Sequence, residues 1–168
     1  SDNGPEVPTV LSMRQDYKHD GARPWRGVKR DNWEGGHRVP FIARWPGKIK
    51  SGTRSSQTLS LTDLMSTFAA ITNVKLPKGA GEDSVNMLPA FIGSDEGKSI
   101  RKYTLHQTIS LALAIRRGPW KYLDHRGSGG NNYDRAGRWG MKKYIVPEKE
   151  PEAPGQLYNL DADPGETN

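Results

Sequence analysis

Asp2 and Asn3, within the sequence SDNG, are the first residues whose types suggest chemistry. A carboxylate beside an amide carbonyl offers hard oxygen donors, and the glycine that follows lets the backbone turn sharply. Oxygen donors of this kind suit calcium or magnesium rather than zinc or copper. The same residues also form an ordinary turn sequence, so a metal site and a simple turn both stay open at this point.

A second candidate region is PWRGVKRDNWEGGHRVPF, residues 24–41. Lys29 lies in a glycine-punctuated stretch, where a lysine can reach an anion as a point charge, while Arg26 orients the anion or holds the loop. Gly35 and Gly36 allow the backbone to approach a ligand closely. We expect both tryptophans to pack the loop down. Spacing alone fits an ordered anion-binding loop and a decorated surface loop equally well.

The four histidines differ in what their surroundings suggest. His19 precedes the lysine loop and is a candidate to face the same site. His106 stands at the start of the predicted C-terminal strands and is a second candidate. His37, in the turn EGGHRVP, is expected to make a structural hydrogen bond. His125 follows a predicted strand and is expected to be exposed.

The amino-acid composition limits which kinds of functional site this chain can contain. With 25 Lys and Arg against 19 Asp and Glu, the formal net charge of +6 suits nucleic acid, an acidic polysaccharide or any other anion. The absence of cysteine excludes disulfides, thiolate zinc sites and a cysteine nucleophile within these 168 residues. The longest purely apolar run, LALAI, is far shorter than the roughly 20 residues that span a bilayer.

The first half of the chain shows one strong periodic element. Residues 1–38 carry almost no apolar periodicity and are predicted to be loop. RVPFIARW is predicted to be a partly buried strand that ends at a Pro-Gly turn. The stretch LSLTDLMSTFAAITNV is predicted to be a helix, because its apolar residues recur at the spacing of one helix face: Leu61, Leu64, Met65 and Phe68.

The second half of the chain is predicted to be mostly extended. Residues 83–93 indicate a turn followed by a short helical or irregular piece, and residues 102–125 indicate two or three strands with a turn at Gly118-Pro119. A long loop is predicted over 126–156, followed by a short strand in QLYNL and a final turn. This order favours an α+β arrangement of antiparallel strands with a helix laid against them.

Taken in order, these segments resemble the sulfatase family, the arylsulfatase type of sulfuric ester hydrolase in the alkaline-phosphatase-like superfamily. The family pattern has SDNG, then R-G-x-K, W-E-G-G-x-R-V-P and W-P-G, and all of these are present here. SLTDLMSTFAAI is similar to the helix that follows in the family, AIRRGPWKYL to a hairpin of its C-terminal domain, and QLYNLDADPGETN to its closing strand and turn. The resemblance covers nearly the whole chain apart from residues 126–156.

The resemblance implies a fold and a division into domains. The expected fold is α+β, the C-terminal part of an alkaline-phosphatase-like α/β sulfatase, with a small antiparallel sheet packed on a helix. Residues 1–98 would be the remainder of the large catalytic domain. Residues 99–168 would form the smaller antiparallel-sheet subdomain.

The resemblance also implies a mechanism. Asp2 and Asn3 match two calcium ligands, and Lys29 matches a lysine that neutralises the sulfate oxygens together with the ion. In the family, a hydrated formylglycine made from Cys or Ser in a C/S-x-P-x-R motif attacks sulfur, and a histidine protonates the leaving alcohol. His106, where the smaller domain borders the substrate cleft, and His19 would be substrate contacts. Related phosphatases tend to carry histidine at the position of Asn3, so an oxygen donor there favours calcium and sulfate over a transition metal and phosphate.

The sequence departs from the family pattern in one decisive way. It has no cysteine and no S-x-P-x-R, and the family's other two calcium-binding aspartates and its principal catalytic histidine lie upstream of SDNG. We therefore expect a C-terminal portion that is inactive alone. Its expected partners are a sulfate-ester substrate, either an aryl sulfate or a sulfated carbohydrate, and the rest of the catalytic domain, with no nucleic acid and no membrane span. Export to a periplasm or the cell exterior is expected from the family alone. The alternative is a non-catalytic module that binds a polyanion or a sulfated glycan.

Overall fold

The computed structural model describes residues 1–133, 150 and 152–167 of the chain. Short helices precede a small sheet, which confirms the α+β class. Among the described residues, no helix is both long and apolar enough to cross a membrane. The elements, in chain order, are α1 (Val7–Tyr17), α2 (Glu34–His37), α3 (Asp63–Ile71), α4 (Leu88–Ile92), β1 (Thr104–Gln107), β2 (Leu113–Arg117), β3 (Trp120–Leu123) and β4 (Gln156–Asn159).

Two compact units divide the chain. One combines Ser1–Pro40 with Leu105–Asn168, and the other is Phe41–Thr104. The first holds α1, α2 and nearly all of the sheet, and the second holds α3 and α4. The predicted boundary at residue 98 concerns the domains of a complete sulfatase rather than compact units of this chain, and it stays a prediction.

The sheet has the strand order β1-β2-β3-β4, with β2, β3 and β4 paired antiparallel. Because side chains alternate between the two faces of a strand, Lys121 and Leu123 of β3 are buried while Trp120 and Tyr122 are exposed. Register places Tyr122 opposite Ile115 of β2 and opposite Leu157 of β4. The predicted hairpin with its Gly118-Pro119 turn and the predicted strand in QLYNL are therefore confirmed.

The buried face of the sheet packs on the loop that contains Trp33, whose side chain is only 4% exposed. This loop and the sheet together make the main core of the first unit. A smaller cluster joins α1 to the same loop through Val7, Val10 and Val28. The main core consists of Trp33, Ala114, Leu123, Tyr158 and Leu160, with Tyr133 packed at its edge.

In the second unit, α3 contacts α4 and is anchored at its start by Asp63. The fully buried Asp63 carboxylate accepts hydrogen bonds from the backbone N–H groups of Ser60 and Val85, both at 2.9 Å, and pairs with the Arg101 guanidinium. Burial alone would raise the pKa of Asp63, but the hydrogen bonds from Arg101, Ser60 and Val85 together outweigh burial and lower it. Helix α3 is confirmed, and of the helical and irregular alternatives for the piece after the turn, the structure has the helical one, α4.

Two predictions in the first half of the chain were wrong. Residues 7–17 form α1, whose start is capped by the Glu6 carboxylate on the Val7 N–H and whose end is marked by Lys18 in the left-handed conformation. Residues 38–45 form no strand in the described part of the chain, and Ile42 is 91% exposed. Most of the predicted loop at 126–156 lies outside the described residues, and those described there form no helix, with only its last residue, Gln156, in a strand.

Candidate functional site

Gly4, the glycine of SDNG, lies directly against the glycine pair of the WEGG motif. The Gly4 N–H donates to the Gly36 carbonyl at 2.9 Å. The two backbones approach so closely that a Cβ on Gly4 would lie 1.9 Å from the Gly35 carbonyl oxygen, so only glycine fits. The two segments that stand apart in sequence, SDNG and the lysine loop, are therefore in contact.

Lys29 occupies the middle of a tight turn that closes between Val28 and Asp31. The Asp31 N–H donates to the Val28 carbonyl at 3.0 Å, and the Val28 N–H donates to Asp31 Oδ2 at 2.9 Å. The Lys29 N–H donates to the Pro5 carbonyl at 3.0 Å, one residue after SDNG. The lysine backbone is thus fixed to the same segment that carries the candidate metal ligands.

Asp31 organises this turn, and sequence reasoning missed it. Its buried carboxylate accepts hydrogen bonds from the Asn131 side chain at 2.8 Å and from the Tyr133 hydroxyl. Burial raises the pKa of Asp31, and it also raises the pKa of Tyr133. Asn131 also donates to the Lys29 carbonyl at 2.8 Å, so the turn is held from both sides. An aspartate two residues beyond the lysine is a turn-forming signal that could have identified Asp31.

The Lys29 ammonium is half-exposed and lies 3.6 Å from a carboxylate oxygen of Glu6. Glu6 also forms a bidentate pair with Arg30, at 2.7 and 3.1 Å. The hydrogen bond from Arg30 lowers the pKa of Glu6. Because all three groups are partly exposed, these ion pairs orient the side chains more than they stabilise the fold.

Gly35 and Gly36 do allow a close backbone approach, but what they approach is the backbone of the lysine loop rather than a ligand. A Cβ on Gly35 would lie 2.4 Å from the Gly27 carbonyl oxygen, and one on Gly36 would lie 2.0 Å from the Asp31 carbonyl oxygen. The Gly35 N–H donates to the Arg26 carbonyl at 2.7 Å. The glycines thus pack the lysine turn against α2.

Both tryptophans pack the loop down, as predicted. The Arg26 guanidinium stacks 3.7 Å from the centre of the buried Trp33 ring, and Arg38 lies 4.1 Å from the centre of the Trp25 ring. Arg26 also donates to the Glu166 carbonyl at 2.8 Å. Of the two roles considered for Arg26, these contacts match holding the loop.

Beneath the loop lies a buried network of charges that was not predicted. Lys121, with no exposed surface, contacts Glu34 at 3.1 Å and Glu166 at 3.0 Å. Glu34 also pairs with Arg116 at 2.9 Å and with Arg38 at 3.1 Å. The network therefore joins the WEGG motif, strand β3 and the turn after β4.

The pKa values of the two buried glutamates, Glu34 and Glu166, are shifted in opposite directions. Burial alone would raise the pKa of Glu34, but Lys121, His37 and Arg116 outweigh it and lower the pKa to about 2. Burial, with a smaller contribution from the nearby Glu34 carboxylate, raises the pKa of Glu166 to about 7 although Lys121 lowers it. Glu166 also accepts the Glu34 N–H at 2.6 Å, which fixes the start of α2.

His37 and His106 are brought together, with their rings stacked 3.7 Å apart. His37 lies 3.3 Å from the Asn32 carbonyl and 3.1 Å from Lys121, which agrees with its expected structural role. Burial, then the neighbouring His106 and Lys121, keep the pKa of His37 well below its usual range. Since Gly36 bonds Gly4, the His37–His106 stack lies one residue beyond the contact that anchors SDNG.

The other two histidines lie elsewhere in the first unit. His19 is exposed beyond the end of α1, and no hydrogen bond or ion pair among the described residues joins its side chain to the lysine loop. His125 was expected to be exposed, which is wrong. It is half-buried, because Asn32 approaches its ring at 2.9 Å and Gln156 donates to its carbonyl at 2.9 Å.

The donor set at Asp2 and Asn3 fits calcium in type but is incomplete. Asp2 is exposed and Asn3 half-buried, and together they offer a carboxylate and an amide oxygen at one turn. Calcium takes six to eight oxygens. Within the described ranges, no three His, Asp or Glu side chains converge as a metal cluster would. Any calcium bound here would need most of its ligands from elsewhere.

Comparison with known proteins gives the same family that the sequence motifs resemble. The Sulfatase family model matches residues 1–74. An N-acetylgalactosamine-6-O-sulfatase from Bacteroides thetaiotaomicron is 33% identical over the whole chain, which covers 31% of that protein. Human steryl-sulfatase is 32% identical over 71% of the chain, which corresponds to 20% of its own length. The chain thus spans less than a third of the curated relatives it matches here.

Solved structures agree with these relatives. A structure from Bacteroides thetaiotaomicron, described in work on the metabolism of multiple glycosaminoglycans, superposes on the whole chain with a TM-score of 0.79 and 32% identity, over 33% of its own length. A sulfatase from Pseudoalteromonas sp. gives a TM-score of 0.69 and 29% identity over 31% of its length. With the ordered motifs, the joined SDNG and lysine segments and the whole-chain similarity, these findings lead to one conclusion: the chain belongs to the sulfatase family.

Proposed function

We propose that this chain supplies part of the calcium and sulfate site of an enzyme that hydrolyses sulfate esters. The observation that carries the proposal is the double backbone contact between SDNG and the lysine loop. Gly4 bonds Gly36 and Lys29 bonds Pro5, so that Asp2, Asn3 and Lys29 belong to one locally rigid group.

Within this proposal each residue has a distinct task. When bound, calcium would supply positive charge to the sulfate oxygens, held in part by Asp2 and Asn3. The Lys29 ammonium donates a hydrogen bond to a sulfate oxygen and offsets the negative charge that builds during attack. Asp31 and Asn131 keep the lysine turn in shape, which limits the reorganisation needed when the substrate arrives.

His106 is proposed as a substrate contact because its ring stacks on His37, the residue that follows the Gly36 anchor. His37 is a positioning residue in this scheme, since its Nε2 either donates to the Asn32 carbonyl or accepts from the Lys121 ammonium, both of which lie within the protein. His19 stays a prediction without a supporting contact.

We further propose a sulfated carbohydrate as the substrate class. A relative that matches the whole chain at 33% identity is named for removing a sulfate from an amino sugar, whereas the steryl-sulfatase match covers a smaller share of the chain. The attacking group would come from a part of the enzyme outside these residues, because the sequence has neither cysteine nor S-x-P-x-R. Export to a periplasm or the cell exterior is proposed on family grounds.

The test compares Lys29→Ala with Lys75→Ala in the enzyme produced from the complete gene. Lys75 is a matched control because it is exposed and has no partner in the described part of the chain. With a 6-sulfated N-acetylgalactosamine substrate, Lys29→Ala is expected to lower kcat/KM by about 10²–10³-fold, as loss of one preorganised donor does elsewhere. Lys75→Ala should stay near wild type.

Two outcomes would contradict the proposal. Equal turnover by Lys29→Ala and wild type, with folding shown intact by circular dichroism, would remove Lys29 from the site. No turnover of any sulfate ester by the wild-type enzyme, combined with retained binding of a sulfated glycan, would favour the non-catalytic module. Loss of activity in EGTA that calcium restores would support the calcium site of the proposal.

A further inference from the structure

Residues 44–54 carry a concentration of positive charge that the proposed sulfate site does not use. Arg44, Lys48, Lys50 and Arg54 are all exposed, and the chain has no aspartate or glutamate between Glu34 and Asp63. We call residues 44–54 the cationic segment. It lies wholly within the second compact unit.

The four cations of this segment differ from most others in the chain because they are unpaired. No hydrogen bond or ion pair holds their side-chain nitrogens within the described ranges. Elsewhere, exposed and half-exposed cations have acidic partners, as Lys29 has in Glu6, Lys98 in Glu96 and Arg126 in Glu152. Further unpaired cations of the described chain are scattered: Lys75, Lys78, Lys102 and Arg117.

The backbone of the cationic segment is ordered by two successive turns. The Trp45 carbonyl accepts hydrogen bonds from the N–H groups of Lys48 and Ile49, at 3.1 and 2.8 Å. The Lys50 carbonyl then accepts from the Thr53 hydroxyl at 2.8 Å. These turns hold the four charges on a short stretch of fixed backbone. Binding of a polymer therefore costs less conformational entropy than binding to a flexible segment would.

We propose that the cationic segment binds a polyanionic chain, and specifically a sulfated polysaccharide. Unpaired, solvated ammonium and guanidinium groups attract repeated anionic groups without competition from internal carboxylates. A nucleic acid fits less well, because the segment forms no helix that could enter a groove and its single aromatic residue, Trp45, is half-buried. The choice of sulfated polysaccharide among polyanions rests on the proposed function, whereas the binding itself does not.

The test uses the enzyme produced from the complete gene, with heparin as the probe, and two variants of equal charge. Lys48→Glu with Lys50→Glu, and Lys75→Glu with Lys78→Glu, each lower the formal net charge of these 168 residues from +6 by 4, to +2. All four lysines are exposed and unpaired in the described part of the second unit. At low salt we expect the first variant to bind heparin at least about tenfold more weakly than the second, with unchanged thermal unfolding in both.

Each outcome decides a separate point. Equal weakening by both variants would overturn the proposal, because binding would then follow net charge alone. Tighter binding of duplex DNA than of heparin at matched ionic strength would overturn the choice of partner. In the complete enzyme, Lys48→Glu with Lys50→Glu should slow release of sulfate from a polymer while sparing a small aryl sulfate. Failure of the binding test would leave turnover of the small sulfate ester untouched, so the two proposals fail independently.

Discussion

Replacing Glu166 by glutamine should change how stability depends on pH. Glu166 is fully buried between Lys121 and the Glu34 N–H, at 3.0 and 2.6 Å, and its pKa is raised from 4.5 to about 7. A carboxyl whose folded pKa lies above its unfolded pKa stabilises the fold when protonated. That contribution is complete below pH 4.5 and is lost as the pH rises through about 7.

The size of the effect follows from the two pKa values. A difference of one in pKa corresponds to about 1.4 kcal/mol, so ionising Glu166 costs the fold about 3 kcal/mol between pH 4.5 and pH 8. Glutamine carries no proton to lose. The free energy of unfolding of Glu166→Gln, relative to wild type, should therefore grow by about 3 kcal/mol across that range, which is a large share of a small domain's stability.

His37 complicates the raw curves because it titrates in the same network. The pKa of His37 is lowered by burial, so its contribution runs in the opposite direction and is lost as the pH falls. Subtracting the wild-type curve from the variant curve removes this term, since both proteins contain His37. Glu152→Gln is the matched control, because the Glu152 side chain is 86% exposed and pairs only at the surface with Arg126.

The assay is urea unfolding of this chain, followed by circular dichroism and tryptophan fluorescence at intervals from pH 4.5 to pH 8. Coincident transitions by the two probes would justify a two-state free energy. A difference between Glu166→Gln and wild type that stays constant with pH would refute the reasoning, because Glu166 would then have the same pKa in both states. A pH-dependent difference for Glu152→Gln would show that the protocol, rather than the buried carboxyl, produces the slope.

Three further changes have defined consequences. Lys121→Met should lower the free energy of unfolding by about 3–5 kcal/mol, measured in urea, because it leaves two buried carboxylates without their shared cation. Gly36→Ala should lower the free energy of unfolding by at least about 3 kcal/mol in the same assay, since its Cβ would meet a backbone oxygen at 2.0 Å. Gly21→Ala is the control and should be nearly neutral, because no atom lies nearer than 3.9 Å to the added Cβ. Asp31→Ala should speed hydrogen exchange at the Val28 amide, which would lose its acceptor, and an unchanged rate would contradict the role of Asp31 in closing the turn.

Local signals were sufficient for much of the fold. The hairpin of β2 and β3 follows from alternating apolar residues on either side of a Gly-Pro turn, and α3 follows from apolar residues at helical spacing. In α3, however, the predicted apolar face is not the buried one. Met65 is 49% and Phe68 56% exposed, whereas Asp63 and Thr67 are buried because they hold neighbouring backbone groups.

The errors in the first half of the chain have a common physical reason. Helix α1 buries little apolar surface beyond Val7 and Val10, so its periodicity is weak, and its ends are specified by Glu6 and Lys18 instead. Residues 38–45 have the composition of a strand, but a strand also needs a hydrogen-bonded neighbour, which composition does not predict. Phe41 packs on Phe91 at 5.5 Å between ring centres instead.

The supporting part of the site was missed because its partners are distant in sequence. Glu166 and Glu34 are separated by 132 positions, and Asn131 and Lys29 by 102. One signal did exist. Alternation along β3 assigns Lys121 to the same face as Leu123, and a lysine on a buried face requires acidic partners. The identity of those partners needed the fold.

The availability of Lys29 for its proposed role follows from what the buried polar side chains of this motif do. Arg26 stacks on Trp33 and bonds the backbone near the end of the chain, and Glu34 is enclosed by cations. Asn32 donates to the Ala112 carbonyl at 3.0 Å, and Asp31 closes the turn. These groups are buried and bound to the protein, so they hold the loop and cannot leave it to meet a ligand. Lys29 instead has a backbone fixed on both sides and a side chain that is 39% exposed, beside a carboxylate in partial contact with water. In the proposed site, an anion bound beside Asp2 and Asn3 would therefore draw the lysine from Glu6 with little change in the surrounding structure.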